Sequence, residues 1–426
     1  MNLVICEKPS VAMSIAKVIG ATGRQNGYYE GGGYIVSWCV GHLIQMASPS
    51  AYDEKYAKWK LEDLPIIPRQ YKYEVVRATR GQFNTLKKLM NSKEIETVIN
   101  ACDAGREGEL IFRLVYEQAG CKKNIKRLWI SSMEDVAIKE GFKQLKDGKE
   151  YEALYQSALA RSKADWLVGM NMSRLYSLIY NQNYSVGRVQ TPTLFMIVKR
   201  DDEITAFKKE KYYTGELYCT GFTLSTDRID SLEIVEDLVN VVGNKITVRN
   251  VEKKEKLTKP DLPFDLTTLQ RECNKYFGFS AKQTLDYAQS LYEKKMITYP
   301  RTDSRYLSED MIINTVNNIL GKNDFDTERI KVIFNSAKVT DHHAIIPTVS
   351  SLEEDMSTIP ESERKIYNLI LNKLHASAGY PLIENITKIV AVYESQGDVF
   401  EFKANGKVIT DEGFTKYLKE YGSKKN

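Results

Sequence analysis

The 426-residue chain is predicted to be a multidomain α/β plus α and β protein, with βαβ units and a mainly parallel sheet at its N-terminus, then helical and β-rich domains. Three observations predict this. The apolar runs Leu3–Cys6, Thr97–Cys102 and Ile125–Ile130 are too short for helices, and each passes through a polar turn into a helical repeat. From about residue 150 to 205 the apolar spacing is helical. From 212 to 256 it alternates as in strands. The length leaves room for two to four domains.

Leu3–Cys6 reads as a buried strand, and Pro9 and Ser10 start the helix marked by Ala12, Ile15, Ala16 and Ile19. Glu7 and Lys8 therefore lie just beyond the carboxyl end of a strand, where open α/β sheets place their chemistry; an exposed loop ion pair is the plainer alternative. Gly31-Gly32-Gly33 turns into a strand at Tyr34–Trp38 that ends at Gly41-His42-Leu43. The glycine spacing matches neither GxGxxG nor a P-loop, so no nucleotide site is expected. Thr97–Cys102 runs into Asp103-Ala-Gly-Arg-Glu107-Gly-Glu109 and then a helix with Leu110, Ile111, Leu114 and Val115 on one face, capped by Gly120. One or two acids at a helix start serve the dipole, whereas three, with Glu7 on another strand, form a hard oxygen set that suits Mg²⁺. Ile125–Ser132 repeats the pattern of a strand before a helix.

Ser185-Val-Gly-Arg188-Val-Gln190-Thr191-Pro192 breaks the helical stretch; its Arg, Gln and Thr suit a sugar-phosphate backbone and equally suit a capped helix start. Thr258–Pro263 reads as a linker, and residues 264–397 read as helical again. There Ala281, Leu285, Ala288 and Leu291 mark a helix closed by Lys294-Lys295 and followed by Met296-Ile-Thr-Tyr-Pro-Arg-Thr-Asp-Ser304. Pro300 fixes its own φ and drives Tyr299 out of the helical region, so the phenol is presented on an extended segment. Arg301 adds a planar fork of donors suited to phosphate. With 26 tyrosines in the chain, ordinary turn chemistry also explains a Tyr-Pro pair taken alone. In Asp341-His342-His343-Ala344 the adjacent histidines face opposite ways on a strand, which argues against a two-histidine metal site and for one imidazole near a phosphate.

Composition excludes several classes. A net charge of +4 does not by itself argue for nucleic acid, although Lys208–Lys211 and Lys253–Lys256 are local basic stretches, each equally a solvated face. The six cysteines form no CxxC pair, so neither a zinc ribbon nor a disulfide framework is expected, and a reducing, cytoplasmic setting follows. No apolar run approaches the roughly 18 residues of a membrane span.

In combination, Glu7-Lys8-Pro9-Ser10, Asp103-xxx-Glu107-Gly-Glu109, Ser185-Val-Gly-Arg-Val-Gln-Thr-Pro, Ile297–Ser304 and His342-His-Ala-Ile resemble type IA DNA topoisomerases, in order and approximate spacing. Arg127-Leu-Trp-Ile-Ser-Ser points to the topoisomerase III branch. The resemblance implies a Toprim domain at 1–148, with residues about 37–63 packing with the helical domain. It further implies a helical segment at 149–211, a β-rich domain from 212–263 and 398–426, and a helical domain at 264–397 that carries the nucleophile. It implies ATP-independent cleavage of single-stranded or underwound DNA through a 5′-phosphotyrosine at Tyr299, in a nucleoid setting and with a helicase partner left open. Arg301 would bind the scissile phosphate, Lys8 would hold it or aid protonation of the leaving 3′-oxygen, Glu7 would assist proton transfer, and His342 would order the network. Glu7, Asp103, Glu107 and Glu109 would hold Mg²⁺, and Ser185, Arg188, Gln190 and Thr191 would contact DNA.

Two departures from the family pattern stand out. Gly105 replaces a second Asp of the acidic triad, so metal binding would rely on Glu7, Glu107 and water. The β-rich return begins at Val399–Gly406, but the chain stops after a Lys-rich tail at Asn426, so the core is expected to be C-terminally truncated and to lack the segment that closes the ring. A single-stranded DNA-binding remnant, holding DNA through Arg188, Arg301 and the basic stretches, is the alternative to an enzyme.

Overall fold

The computed structural model describes the chain except residues 242–245, 322–324, 341, 396–397 and 423–426. Asp341, Lys245 at the start of an expected strand, and the Lys-rich tail at 424–425 lie outside the described residues. The chain divides into two compact units, one of Met1–Arg200, Phe264–Ile319 and Asn335–Leu371, the other of Asp201–Pro263, Leu320–Phe334 and Asn372–Asn426.

The first unit opens with β1 (Asn2–Cys6), α1 (Pro9–Ile19), β2 (Gly23–Gln25), β3 (Tyr28–Gly31), β4 (Tyr34–Trp38), β5 (Ile44–Met46), β6 (Tyr73–Val75), α2 (Arg80–Met90), β7 (Thr97–Ala101), α3 (Arg106–Gln118), β8 (Asn124–Arg127), α4 (Asp135–Lys143) and β9 (Lys146–Asp147). Seven strands form one sheet in the order β2-β3-β4-β1-β7-β8-β9. Its central strands β4, β1, β7 and β8 are parallel, while β2, β3 and β9 pair antiparallel at the edges. Parallel strands are buried on both faces, which is why Leu3–Cys6 is continuously apolar and Val98–Ala101 is buried throughout, its one polar residue, Asn100, bonding to Glu109. Chain order reverses beside β1, so the carboxyl ends of β1 and β7, in register at Cys6 and Ala101, open onto a topological switch point. The long α5 (Glu152–Tyr180) packs its Tyr155 and Ala158 into this unit's core with Leu86, Phe112 and Val115. Residues 52–66 also meet α5: the Asn171 side chain accepts from Ile66 N at 2.7 Å, and Arg174 donates to Tyr56 O at 2.9 Å.

After α6 (Gln190–Thr205) come β10 (Glu216–Cys219), β11 (Phe222–Thr226), α7 (Leu232–Val241) and β12 (Thr247–Thr258). The helix α7 corrects the expectation of strands throughout 212–256: Leu232, Val235 and Leu238 recur at helical spacing, and Leu238 is buried against the sheet residues Leu224, Ala391 and Phe402. The chain then forms α8 (Leu266–Phe277), α9 (Ala281–Glu293), α10 (Ile312–Asn314), α11 (Thr327–Ile333), α12 (Glu361–Ala378), β13 (Leu382–Ser395) and β14 (Asp398–Asp411). The long strand β13 corrects the expectation that 264–397 is helical throughout. Ile383, Ile386 and Ile389 imitate a helical period, but Pro381 blocks continuation of α12, and β12 and β14 flank the segment on both sides. The second unit's sheet is antiparallel, in the order β10-β11-β14-β13-β12. Among the described residues no helix is long and apolar enough to cross a membrane.

Phe402 is 3% exposed in the small core with Leu224, Leu238 and Ala391. Replacing it by Ala is expected to cost the second unit about 3–5 kcal/mol, seen in calorimetry as a transition moved to lower temperature.

Candidate active site

Glu7 and Asp103 follow adjacent parallel strands, and the backbone of Asp103 lies beside the Glu7 carboxylate. Burial, then the charge of Asp103, pushes the Glu7 carboxyl up to about 7. Burial also raises the Asp103 carboxyl, although the neighbouring Tyr299 hydroxyl and the charges of Lys8 and Arg301 favour its ionised form. Gly108 makes this turn possible: a Cβ there would come 2.2 Å from Asp103 O, so no larger residue lets the loop lie on α3.

The tyrosine is delivered by a second chain segment. α9 starts with a capping box at Ser280 and Gln283 and ends before Lys295, a non-glycine residue with φ of 63°. The following residues are laced to the histidine segment. Thr298 N donates to Ile346 O at 2.9 Å, Thr348 N to Met296 O at 3.0 Å, and the Thr302 hydroxyl to His342 O at 3.0 Å. Tyr299 is 9% exposed, its ring 5.2 Å from that of Tyr292 and 4.3 Å from that of His342. Burial, then the Asp103 charge, holds the Tyr299 phenol far above its usual range, so it rests neutral beside a proton acceptor. Burial, then the neighbouring His343, lowers the His342 imidazole to about 4, so it is neutral near pH 7. His342 Nδ1 lies 3.3 Å from Ser131 Oγ, while His343 turns to its own segment at Ala344 O, 2.8 Å. Arg301 is exposed and near enough to Glu7, Asp103 and Tyr299 for its charge to act on all three. Lys8 Nζ meets Glu293 Oε1 at 3.1 Å.

Residues 149–426 match the family described as DNA topoisomerase, and residues 2–133 match the Toprim domain. The chain belongs to the DNA topoisomerase family. It is 42% identical to DNA topoisomerase 3 of Bacillus subtilis over 97% of its own length and 59% of that protein's. It is 43% identical to DNA topoisomerase 3 of Staphylococcus haemolyticus over 89% of its own length and 56% of that protein's. The chain thus spans little more than half the length of these curated relatives. Its fold is similar to full-length topoisomerase I from Thermotoga maritima, with a TM-score of 0.73 at 24% identity over 98% of this chain and 67% of that one.

Toprim domains bind metal, and the carboxylates at this sheet edge fit a cation less fully than expected from sequence. Glu7 and Asp103 are half-buried side by side, and both lean toward the neutral form. That repulsion is what a hard divalent cation held by two carboxylates and water relieves. Glu109 does not belong to the set. Its oxygens are taken by Arg113 Nε at 2.9 Å, Asn100 Nδ2 at 2.7 Å and Arg127 Nε at 3.2 Å, at 1% exposure. Glu107 is exposed and meets His42 Nε2 at 2.6 Å, a hydrogen bond that lowers its pKa. Among the described residues no group of three or more His, Cys, Asp or Glu is placed to hold a metal.

The other sequence candidates stay apart from this cluster as a local cap. Gln190 Nε2 donates to Ser185 Oγ at 3.0 Å, Gly187 N donates to Thr191 Oγ1 at 3.1 Å, and Arg188 pairs with Asp165 of α5 at 2.6 Å. Sequence reasoning gave no site role to Arg127, Ser131, His42 or Glu293. The available signal for Arg127 was its place at the head of the Arg127-Leu-Trp-Ile-Ser-Ser motif, and it donates to Asn100 O, Cys102 O, Leu128 O and Asp103 O. Nothing local in the sequence distinguishes the other three.

Two outcomes follow. Glu109→Gln is expected to lower stability by about 3–5 kcal/mol, because Arg127 loses its buried counter-charge, while Mg²⁺ affinity measured calorimetrically on the folded fraction changes little. Glu7 has a folded pKa above its unfolded one, so its stabilising contribution is full below about 4.5 and is lost as pH rises through about 7. Without metal, the melting temperature of Glu7→Gln should therefore rise relative to the unsubstituted protein as pH goes from 5 to 8.

Proposed function

We propose that this chain carries the cleavage and religation centre of a topoisomerase III-like type IA DNA topoisomerase, with Tyr299 as nucleophile on single-stranded DNA. The observation that carries the reading is the placement of the buried Tyr299 hydroxyl beside the Asp103 carboxylate, which lies next to Glu7 and within the field of Lys8 and Arg301. A phenol is a weak nucleophile at neutral pH, and here its proton already has an acceptor. Attack forms the bond from Tyr299 oxygen to phosphorus as the bond from phosphorus to the 3′-oxygen breaks. Arg301 and Lys8 neutralise the phosphate and the leaving oxygen, and Glu7, held up to about 7, supports proton transfer there. His342, neutral and packed on the tyrosine ring, orients it. Glu7 and Asp103 are the residues that would hold Mg²⁺, which when bound supplies positive charge at the phosphate. The phosphotyrosine keeps the energy of the phosphodiester, so religation needs no ATP. Relaxation of negative supercoils and decatenation are the proposed outcomes of strand passage, and Ser185, Arg188, Gln190 and Thr191 are proposed DNA contacts.

Denaturant-trapped cleavage of a 3′-labelled single-stranded oligonucleotide with Mg²⁺ tests this. The unsubstituted protein should carry label, and Tyr299→Phe should carry none while binding the oligonucleotide as tightly. An unsubstituted protein that binds but never becomes labelled overturns the enzymatic reading and leaves a DNA-binding remnant.

A further inference from the structure

The end of α9 meets the sheet-edge loops through two ion pairs of opposite sense. Glu293, its last residue, reaches Lys8 after β1, and Lys295 Nζ reaches Asp135 Oδ1, at the start of α4, at 2.6 Å. Lys295 is also the elbow between α9 and the tyrosine segment. It holds a left-handed backbone at φ 63°, which costs free energy for a residue with a Cβ, and the Thr348 hydroxyl donates to its carbonyl at 2.6 Å. Asp135 sits on the loop that touches the nucleophile directly. Four residues earlier, Ser131 accepts a hydrogen bond from Tyr299 N through its carbonyl at 3.3 Å and approaches His342 through its hydroxyl. One short stretch, 131–135, therefore grips both the elbow and the tyrosine.

An acid in the first turn of a helix is favoured by the dipole without any partner. That role explains Asp135 but does not account for a lysine holding a strained backbone conformation opposite it, where glycine or asparagine is the usual choice.

We propose that the Asp135–Lys295 ion pair is a positioning clamp, setting the elbow so that Tyr299 presents its hydroxyl to Asp103. The clamp rests on the reading of Tyr299 as nucleophile. Neither residue touches the reacting atoms; both act through the backbone of 295–299.

The test is the single-turnover rate of covalent adduct formation on a single-stranded oligonucleotide, with affinity measured separately by fluorescence anisotropy and folding checked by melting temperature. Four variants are compared: Lys295→Gly, Lys295→Asp, Asp135→Lys and the double charge swap. Lys295→Gly removes the ion pair and relieves the backbone strain while freeing the elbow, so a clamp predicts a slower rate, by about 10- to 100-fold, with affinity changed far less, and the charge swap separates the ion pair from that added freedom. Each single reversal should slow the reaction at least as much, and the swap should recover most of the loss. A Lys295→Gly rate equal to that of the unsubstituted protein, or a swap no better than the single reversals, overturns the clamp. An unsubstituted protein that forms no adduct overturns the nucleophile reading and the clamp with it, so the two failures appear in different lanes of one experiment.

Discussion

A guanidinium buried at the end of β8 holds the turn on which the site is built. Arg127, 1% exposed, spreads its donors over four carbonyls of the strand ends and the acidic loop, at 2.7 to 3.1 Å, and its charge is answered by Glu109 on α3. A buried pair of this kind adds little net stability over an apolar core of the same shape, but removing one member is costly, so the arrangement is fixed once formed. What it fixes is the backbone of Asp103, tight enough against α3 that residue 108 must lack a side chain. The metal-ready carboxylates and the tyrosine partner follow from that turn.

The second requirement is to bring a phenol from a segment almost two hundred residues away to the same point. The chain meets it with backbone pairing between 296–298 and 346–348, with the Thr302 hydroxyl on His342 O, and with side chains that cross to the sheet edge at Lys8, Ser131 and Asp135. The Tyr299 ring is packed by Tyr292 and His342, and its hydroxyl lies beside Asp103. Crowding half-buried carboxylates beside a neutral phenol is unfavourable for an isolated fold, and such unfavourable arrangements cluster at functional sites.

The parallel sheet, the helices flanking it and the candidates Glu7, Asp103, Tyr299 and His342 were legible because each depends on local signals. Short apolar runs, a proline after the tyrosine and acids at a strand end speak through a few neighbouring residues. The errors lie where local signals conflict with long-range pairing. Isoleucines every third residue in β13 read as a helix until β12 and β14 flank them, and α7 read as a strand because its apolar residues are mostly β-branched. Glu107 and Glu109 both looked like ligands, since a sequence shows carboxylates but not which side chains already meet them.

By itself, the sequence singled out candidate residues for chemistry and determined that the first domain is an α/β sheet, because side-chain type and hydrophobic period are properties of adjacent residues. Tertiary structure alone decided that Glu109 is a structural counter-charge to Arg127, that Glu107 goes to His42, and that Lys8 and Lys295 are paired across the seam to Glu293 and Asp135. The reason is physical: a charge acquires its role from its nearest opposite charge and from how much water it has lost, and both are set by segments far away in the chain.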